Sequence, residues 1–205
     1  MQVEECHCEF GTTVGAWTRR LAPLPFLPLR IHSLCMSQAL PTDEGVMMAA
    51  RCSVEAVTQA IKKLGVQAQV SIASVNGPNS IVVAGAEAEV LMVMSELGRK
   101  GTRLSVSHAF HSPLMMPMAE EFRAVVRVLL ESGTTPSIPV VSTVTGSVAS
   151  AEELADPEHW VRQVWSPVLF SGALEAALDQ WPGKASKPCV VLEVGPDPVL
   201  SRMAR

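Results

Sequence analysis

The chain has 205 residues, of which 48% are hydrophobic and 18% charged, with a formal net charge of −4 and a pI near 5.7. That length suits one domain, or a domain with a small subdomain, around a sizeable core. The acidic balance and the lack of Lys and Arg clusters exclude nucleic acid as a main partner, because phosphate binding needs gathered cations. The longest apolar runs are strand-sized, so no membrane span is expected.

Residues 1–35 read as an irregular segment. Leu21-Ala-Pro-Leu-Pro-Phe-Leu-Pro-Leu29 carries three prolines, each fixing φ and removing a donor, which rules out a helix interior or a central strand. Glu4, Glu5 and Glu9 stand where a secretion signal would carry basic residues, so the expected compartment is the cytoplasm. Five cysteines (Cys6, Cys8, Cys35, Cys52 and Cys189) form an odd set with no CxxC pair, as expected of free thiols in a reducing compartment. Cys6-His7-Cys8 has no second half to complete four ligands, and no metal is expected.

From residue 44 a regular pattern begins. Gly45-Val-Met-Met-Ala-Ala50 suits a buried strand. Ser53 can cap a helix running to Leu64 with Gly65 as its stop, Val54, Val57, Ile61 and Leu64 lying along one face. Val70–Val75 alternates as a strand, Asn76-Gly-Pro-Asn79 is a turn by composition, and Ile81–Ala84 returns. Ala86–Leu97 reads as a helix burying Val90, Leu91, Met94 and Leu97, and Arg103–Val106 as a closing strand. The order β-α-β-β-α-β over 44–107 predicts a ferredoxin-like subdomain, two crossover units sharing one antiparallel sheet.

Residues 108–205 read as α/β. Ser112-Pro113 opens a long amphipathic helix with Leu114, Met115, Met118, Phe122, Val125, Val126, Leu129 and Leu130 on its apolar face. Pro139–Val144 reads as a strand, and Asp156-Pro157 and Asp197-Pro198 as two further helix starts. Cys189-Val-Val-Leu-Glu-Val194 is a continuous apolar run of the buried parallel type.

Two places hold residues suited to chemistry. Ser107-His-Ala-Phe-His-Ser112 sets two histidines in a loop between a strand and a helix start, where rigid flanks can fix a base. Loop histidines without another partner are more often structural, so the spacing alone leaves both readings open. Leu192-Glu-Val-Gly-Pro196 ends a strand before a helix start, which suits a tight turn, or anion contact at the helix N–H groups.

Four segments together carry a resemblance: Val75-Asn-Gly-Pro-Asn-Ser-Ile-Val-Val-Ala-Gly-Ala86, Ser105-Val-Ser-His-Ala-Phe-His-Ser-Pro-Leu-Met115, Val141-Ser-Thr-Val-Thr-Gly146 and Leu192–Pro196. In this order and at these separations, Met36–Arg205 resembles the acyltransferase domain of polyketide synthases and, more broadly, malonyl-CoA:acyl-carrier-protein transacylases. The resemblance implies a hydrolase-like α/β subdomain, here its C-terminal part over 108–205, with a ferredoxin-like subdomain inserted. It implies malonyl transfer from coenzyme A to the phosphopantetheine thiol of an acyl carrier protein, alongside other synthase domains and with no bound cofactor. His111 matches the family's general base. His108 and Phe110, within His108-Ala-Phe-His111, match a tetrapeptide associated with malonyl over methylmalonyl choice. Gln163 matches the residue whose backbone carbonyl orients the base.

Two departures stand beside these matches. The family's serine sits in Gly-His-Ser-x-Gly, whose glycines let a strained elbow expose the hydroxyl, and no such pentapeptide occurs in the 205 residues. Ser33, in Ile31-His-Ser-Leu-Cys35, has neither glycine, no strand before it and too short a separation from the segment at Ser37, so the nucleophile is not found. Arg30 is the nearest candidate for gripping the malonyl carboxylate but lies three residues out of register. The chain alone is therefore expected to be inactive or severely impaired. The alternatives are a segment of an active synthase, a non-catalytic carrier-binding module, and an enzyme using Ser33 or a cysteine.

Overall fold

The structure is a computed structural model that describes residues 40, 45–130, 139–180, 190–193 and 198–204. The expectations for residues 1–35, including Arg30, Ser33 and Cys6-His7-Cys8, lie outside these residues.

Strands β1 (Gly45–Ala50), β2 (Val70–Gly77), β3 (Ser80–Ala86) and β4 (Thr102–Arg103) form a sheet in the order β2-β3-β1-β4, every neighbour antiparallel. Helix α1 (Val54–Leu64) connects β1 to β2, and α2 (Glu87–Glu96) connects β3 to β4. This is the element order expected from the sequence. Ser53 caps α1 by accepting from the Ala56 N–H, and Gly65 ends it at φ 71°, a conformation in which a Cβ is strained.

Alternate side chains of a strand point to opposite faces, and here both faces are covered. Val46, Met48, Ile81 and Val83 pack with Val57, Ile61, Val90, Val93 and Met94 of the two helices. Met47, Val82, Ala84 and Ala73 face the other way and pack with Phe110, Met115, Phe122, Val126 and Val161. That is why Gly45–Ala50 and Ile81–Ala84 are apolar throughout instead of alternating. In α2 the inward residues are Val90, Val93 and Met94, whereas Leu91, expected inside, is 48% exposed. The run Val90-Leu-Met-Val-Met94 is apolar at every position, so periodicity could not choose the buried face.

The long helix expected after Ser112 divides into a 3-10 turn (Pro113–Met118) and α3 (Ala119–Leu130), with Pro117, which cannot donate a helical N–H, at the division. The strand expected over Pro139–Val144 shrinks to β5 (Val141–Ser142), paired with β6 (Ser147–Val148). Gly146 at φ 67° and the bonds Gly146 N to Ser142 O (2.8 Å) and Val144 N to Ser142 Oγ (3.1 Å) curl the chain before more strand can form. Helices α4 (Ala151–Ala155), α5 (Pro157–Trp165) and α6 (Phe170–Asp179) follow. Asp156 caps α5 ahead of Pro157, as expected. Arg123 of α3 bonds Glu158 of α5 through two guanidinium nitrogens, fastening the two helices.

The buried strand expected over Cys189–Val194 does not form in its described part. Val190 and Leu192 are 83% and 81% exposed, and no strand pairs with this segment among the described residues. An apolar run becomes a strand only where a neighbour offers donors and acceptors. Glu193 instead accepts from the N–H groups of Val199, Leu200 and Ser201 at the start of α7 (Val199–Met203), so those groups are taken and are not an anion site. Asp197, the expected cap, lies outside the described residues.

Gly45 decides how closely the histidine loop lies on the sheet. A Cβ there would sit 2.7 Å from Ala109 Cβ and 3.0 Å from Leu114 Cδ1. Gly45→Ala is expected to lower stability by about 1–3 kcal/mol through overpacking, read as a fall in the urea midpoint. An unchanged midpoint would show that the loop does not press on β1.

Candidate active site

Ser107–Ser112 is locked from several directions. Ser112, wholly buried, donates to Ala109 O and accepts from Leu114 N–H, which joins the loop to the 3-10 turn it caps. Ala109 and Phe110 are buried in the core on that side of the sheet. His111, between them and Ser112, has φ 56°, a left-handed conformation costing a non-glycine residue about 1–3 kcal/mol. Ser71 of β2 helps hold it there, its hydroxyl donating to His111 O at 2.7 Å.

This backbone turn points the His111 ring at the C-terminal end of α5, where helical carbonyls lack helical partners. Nδ1 lies 2.9 Å from Ser166 O, and the Gln163 carbonyl also acts on the ring. A carbonyl can only accept, so Nδ1 carries the proton and Nε2 carries the lone pair of the neutral ring. Burial pushes the His111 imidazole down to about 4, against the opposing pull of the Ser166 and Gln163 carbonyls. The ring is therefore neutral at pH 7, with its basic nitrogen set by a fixed tautomer.

Ser166 is itself anchored. Val168 N donates to Ala73 O and Val75 N to Val168 O, each at 2.8 Å, so the segment after α5 bridges in parallel to the edge of β2. Leu169 N donates to Thr143 O at 2.8 Å, tying the same segment to the β5–β6 hairpin. The Gln163 side chain is half-buried, and its Nε2 donates to Thr143 Oγ1 at 3.2 Å.

His108 is buried and turned elsewhere. Its Nε2 donates to Leu40 O at 3.2 Å, its Nδ1 lies 3.0 Å from Ser107 Oγ, and its ring centroid is 5.7 Å from that of Phe110. Thus the structure gathers His111 with the Gln163 backbone, and His108 with Phe110. Ser166, Ser71 and Thr143 were not singled out from the sequence. Ser166 acts through its carbonyl, which every residue has, so no residue-type signal could mark it. A third buried histidine, His159, has Nδ1 3.0 Å from Glu153 Oε1; burial pushes it down while Glu153 pulls it up. Cys52 is a free, buried thiol pushed up by burial, and the other four cysteines lie outside the described residues. Among the described residues no three His, Cys, Asp or Glu are placed to hold a metal, and no helix is long and apolar enough to cross a membrane.

A depressed histidine stabilises the fold where it is neutral and destabilises it where it must charge. Stability tied to His111 is present above pH 6.5 and is lost as pH falls toward about 4. The loss amounts to about 3 kcal/mol. The stability difference between the chain and its His111→Gln variant should shift by that amount between pH 7 and pH 4, as read by urea unfolding. A pH-independent difference would overturn the buried neutral ring.

The acyl transferase domain family matches residues 30–205. Polyketide synthase GfsA of Streptomyces halstedii is 43% identical over 173 residues, 83% of this chain and 2% of that protein. Among solved structures, the acyltransferase domain from the second module of the salinomycin polyketide synthase is 37% identical with a TM-score of 0.74, covering 86% of this chain and 39% of that one. A malonyl-transacylase, solved in complex with a type II polyketide synthase acyl-carrier protein, is 27% identical with a TM-score of 0.70, covering 87% of this chain and 56% of that one. The chain thus spans less than two thirds of each of these relatives. The matched residues take in the β1–β4 sheet, the His111 loop and the α5 terminus that holds its ring, and on that footing the chain belongs to the acyl transferase domain family.

Proposed function

We propose that this chain supplies the general-base side of a malonyl transferase, acting between malonyl-CoA and the phosphopantetheine thiol of an acyl carrier protein. The observation that carries the proposal is the neutral, buried His111 with Nδ1 on the Ser166 carbonyl. In the reaction a serine oxygen attacks the malonyl thioester carbonyl while its proton passes to Nε2. The C–S bond breaks, and the coenzyme A thiolate takes that proton. The carrier thiol then repeats the sequence on the acyl-serine. Gln163 serves by its backbone carbonyl beside that of Ser166. His108 and Phe110 bias selection toward malonyl, since a bulky ring leaves no room for a branched methyl, an effect worth about 1–3 kcal/mol.

The serine is the missing party, because Gly-His-Ser-x-Gly does not occur in this sequence. The isolated chain is therefore proposed to be inactive, a base without its nucleophile. Residues 44–107 are proposed as the ferredoxin-like subdomain and 108–205 as part of the α/β subdomain; the family match begins at residue 30, so 1–29, and not 1–35 as expected, lie outside it. The carrier partner is supported by the complex of the malonyl-transacylase relative. Carrier binding without catalysis is the second reading, resting on Lys62, Lys63, Arg99, Lys100 and Arg103 as a basic face for an acidic partner. Ion pairs of Lys63 with Glu96 (2.7 Å) and Arg103 with Glu87 weaken that face.

Two measurements test the proposal. Incubated with malonyl-CoA, the purified chain should gain no mass in intact-mass spectrometry, and a malonyl group mapped to Ser33 would make it a complete enzyme instead. A chimera is the positive test, with residues 40–205 replacing the matching segment of the salinomycin second-module domain. It should transfer malonyl to a carrier protein, and His111→Ala should lower the rate about a thousandfold or more. Retained transfer in that variant would sink the base assignment.

A further inference from the structure

We infer that Thr143 is a positioning residue for His111, acting on both sides of Ser166, whose carbonyl holds the imidazole. The assignment rests on the proposal that His111 is the base. Thr143 belongs to Val141-Ser-Thr-Val-Thr-Gly146, a segment to which the base, its tautomer and malonyl selection assign no role. Its hydroxyl oxygen accepts from Gln163 Nε2 at 3.2 Å, and its carbonyl accepts from Leu169 N–H at 2.8 Å. Gln163 and Leu169 flank Ser166, three residues to either side. One residue of the hairpin thus fixes the last turn of α5 before Ser166 and the extended segment after it.

The hairpin itself is stiff at this point. Ser142 is buried, its hydroxyl accepts from Val144 N–H at 3.1 Å, and its carbonyl accepts from Gly146 N–H at 2.8 Å. Gly146 lets the chain turn at φ 67°, and a Cβ there would lie 3.5 Å from Leu169 Cβ. Without the Thr143 hydroxyl, the Gln163 side chain would no longer be tied to this rigid hairpin. The last turn of α5 would then rest on the packing of Val161 and Val164 and on the backbone pairing after Ser166, with no side-chain bond to the hairpin, and the Nδ1 bond that selects the tautomer would loosen.

The test is NMR on the full chain with labelled histidine and glutamine. Thr143→Val removes the hydroxyl and keeps the shape, Thr143→Ser keeps the hydroxyl, and Gln163→Met removes the amide from the other end. Thr143→Val and Gln163→Met should each speed solvent exchange of the His111 Nδ1 proton about fivefold, the factor carried by one net hydrogen bond of about 1 kcal/mol. Thr143→Ser should exchange like the unaltered chain. Should Thr143→Val fail to fold, Gln163→Met decides alone. Unchanged exchange in a folded variant that has lost the Thr143–Gln163 bond would overturn the assignment. Equal speeding in Thr143→Ser would overturn it too, by showing a purely structural disturbance. These readouts do not depend on transfer, so an active His111→Ala chimera would remove the base reading while leaving the positioning result to be judged by the exchange rates.

Discussion

A single hydrogen bond, from His111 Nδ1 to the Ser166 carbonyl, gives the candidate site its meaning, and much of the described chain serves to hold its two ends. Two influences compete over the ring. The terminal carbonyls of α5 and the negative end of the helix dipole favour imidazolium, by up to about 2 kcal/mol in partly buried geometry. Burial favours the neutral ring and prevails, leaving it near 4. For the proposed role as a base this would have two sides: the neutral ring has a lone pair to offer at pH 7, and once protonated it would give the proton up readily.

Each end of that bond is held by the same sheet. β1 accepts the histidine loop because Gly45 leaves room for Ala109. β2 holds His111 O through Ser71 and holds the segment after Ser166 through the bridge at Val168. The sheet can serve both because its second face is apolar and packed, with Met47, Ala73, Val82 and Ala84 against Phe110, Met115, Phe122 and Val161. The strained φ of His111 is tolerated for the same reason. Several hydrogen bonds and a packed core outweigh a cost of about 1–3 kcal/mol.

What could be read from the sequence follows from how local each signal is. Ser53 with Gly65, Ser112 with Pro113 and Asp156 with Pro157 mark helix ends by chemistry confined to a few residues, and all three pairs stand where expected. The β-α-β-β-α-β order followed from runs bounded by such marks. The exposure of Leu91 has no local sign, because its helix is apolar in every direction through the middle. The apolar run Val190–Leu192 does not show its lack of a partner, because a strand is a property of two segments and the second is not in the local pattern. The His108–His111 loop was visible as a loop, yet its orientation was not, because Ser166 and Gln163 act through carbonyls. Thr143 was visible only as part of a motif, with no sign of what it touches.

The division between visible and hidden parts has a physical consequence for the site. Side-chain chemistry is concentrated in one residue, His111, while the groups that aim it are mostly backbone atoms whose positions depend on β2, α5 and the β5–β6 hairpin. Such a site tolerates substitution at Ser166, provided the replacement keeps the backbone path, and is sensitive to residues whose side chains fix that path. Ser71 and Thr143 act on that path through their hydroxyls, and Gly45 by lacking a Cβ that would meet Ala109. The orientation of the proposed base is thus set by the fold itself, through backbone carbonyls whose positions depend on β2, α5 and the β5–β6 hairpin.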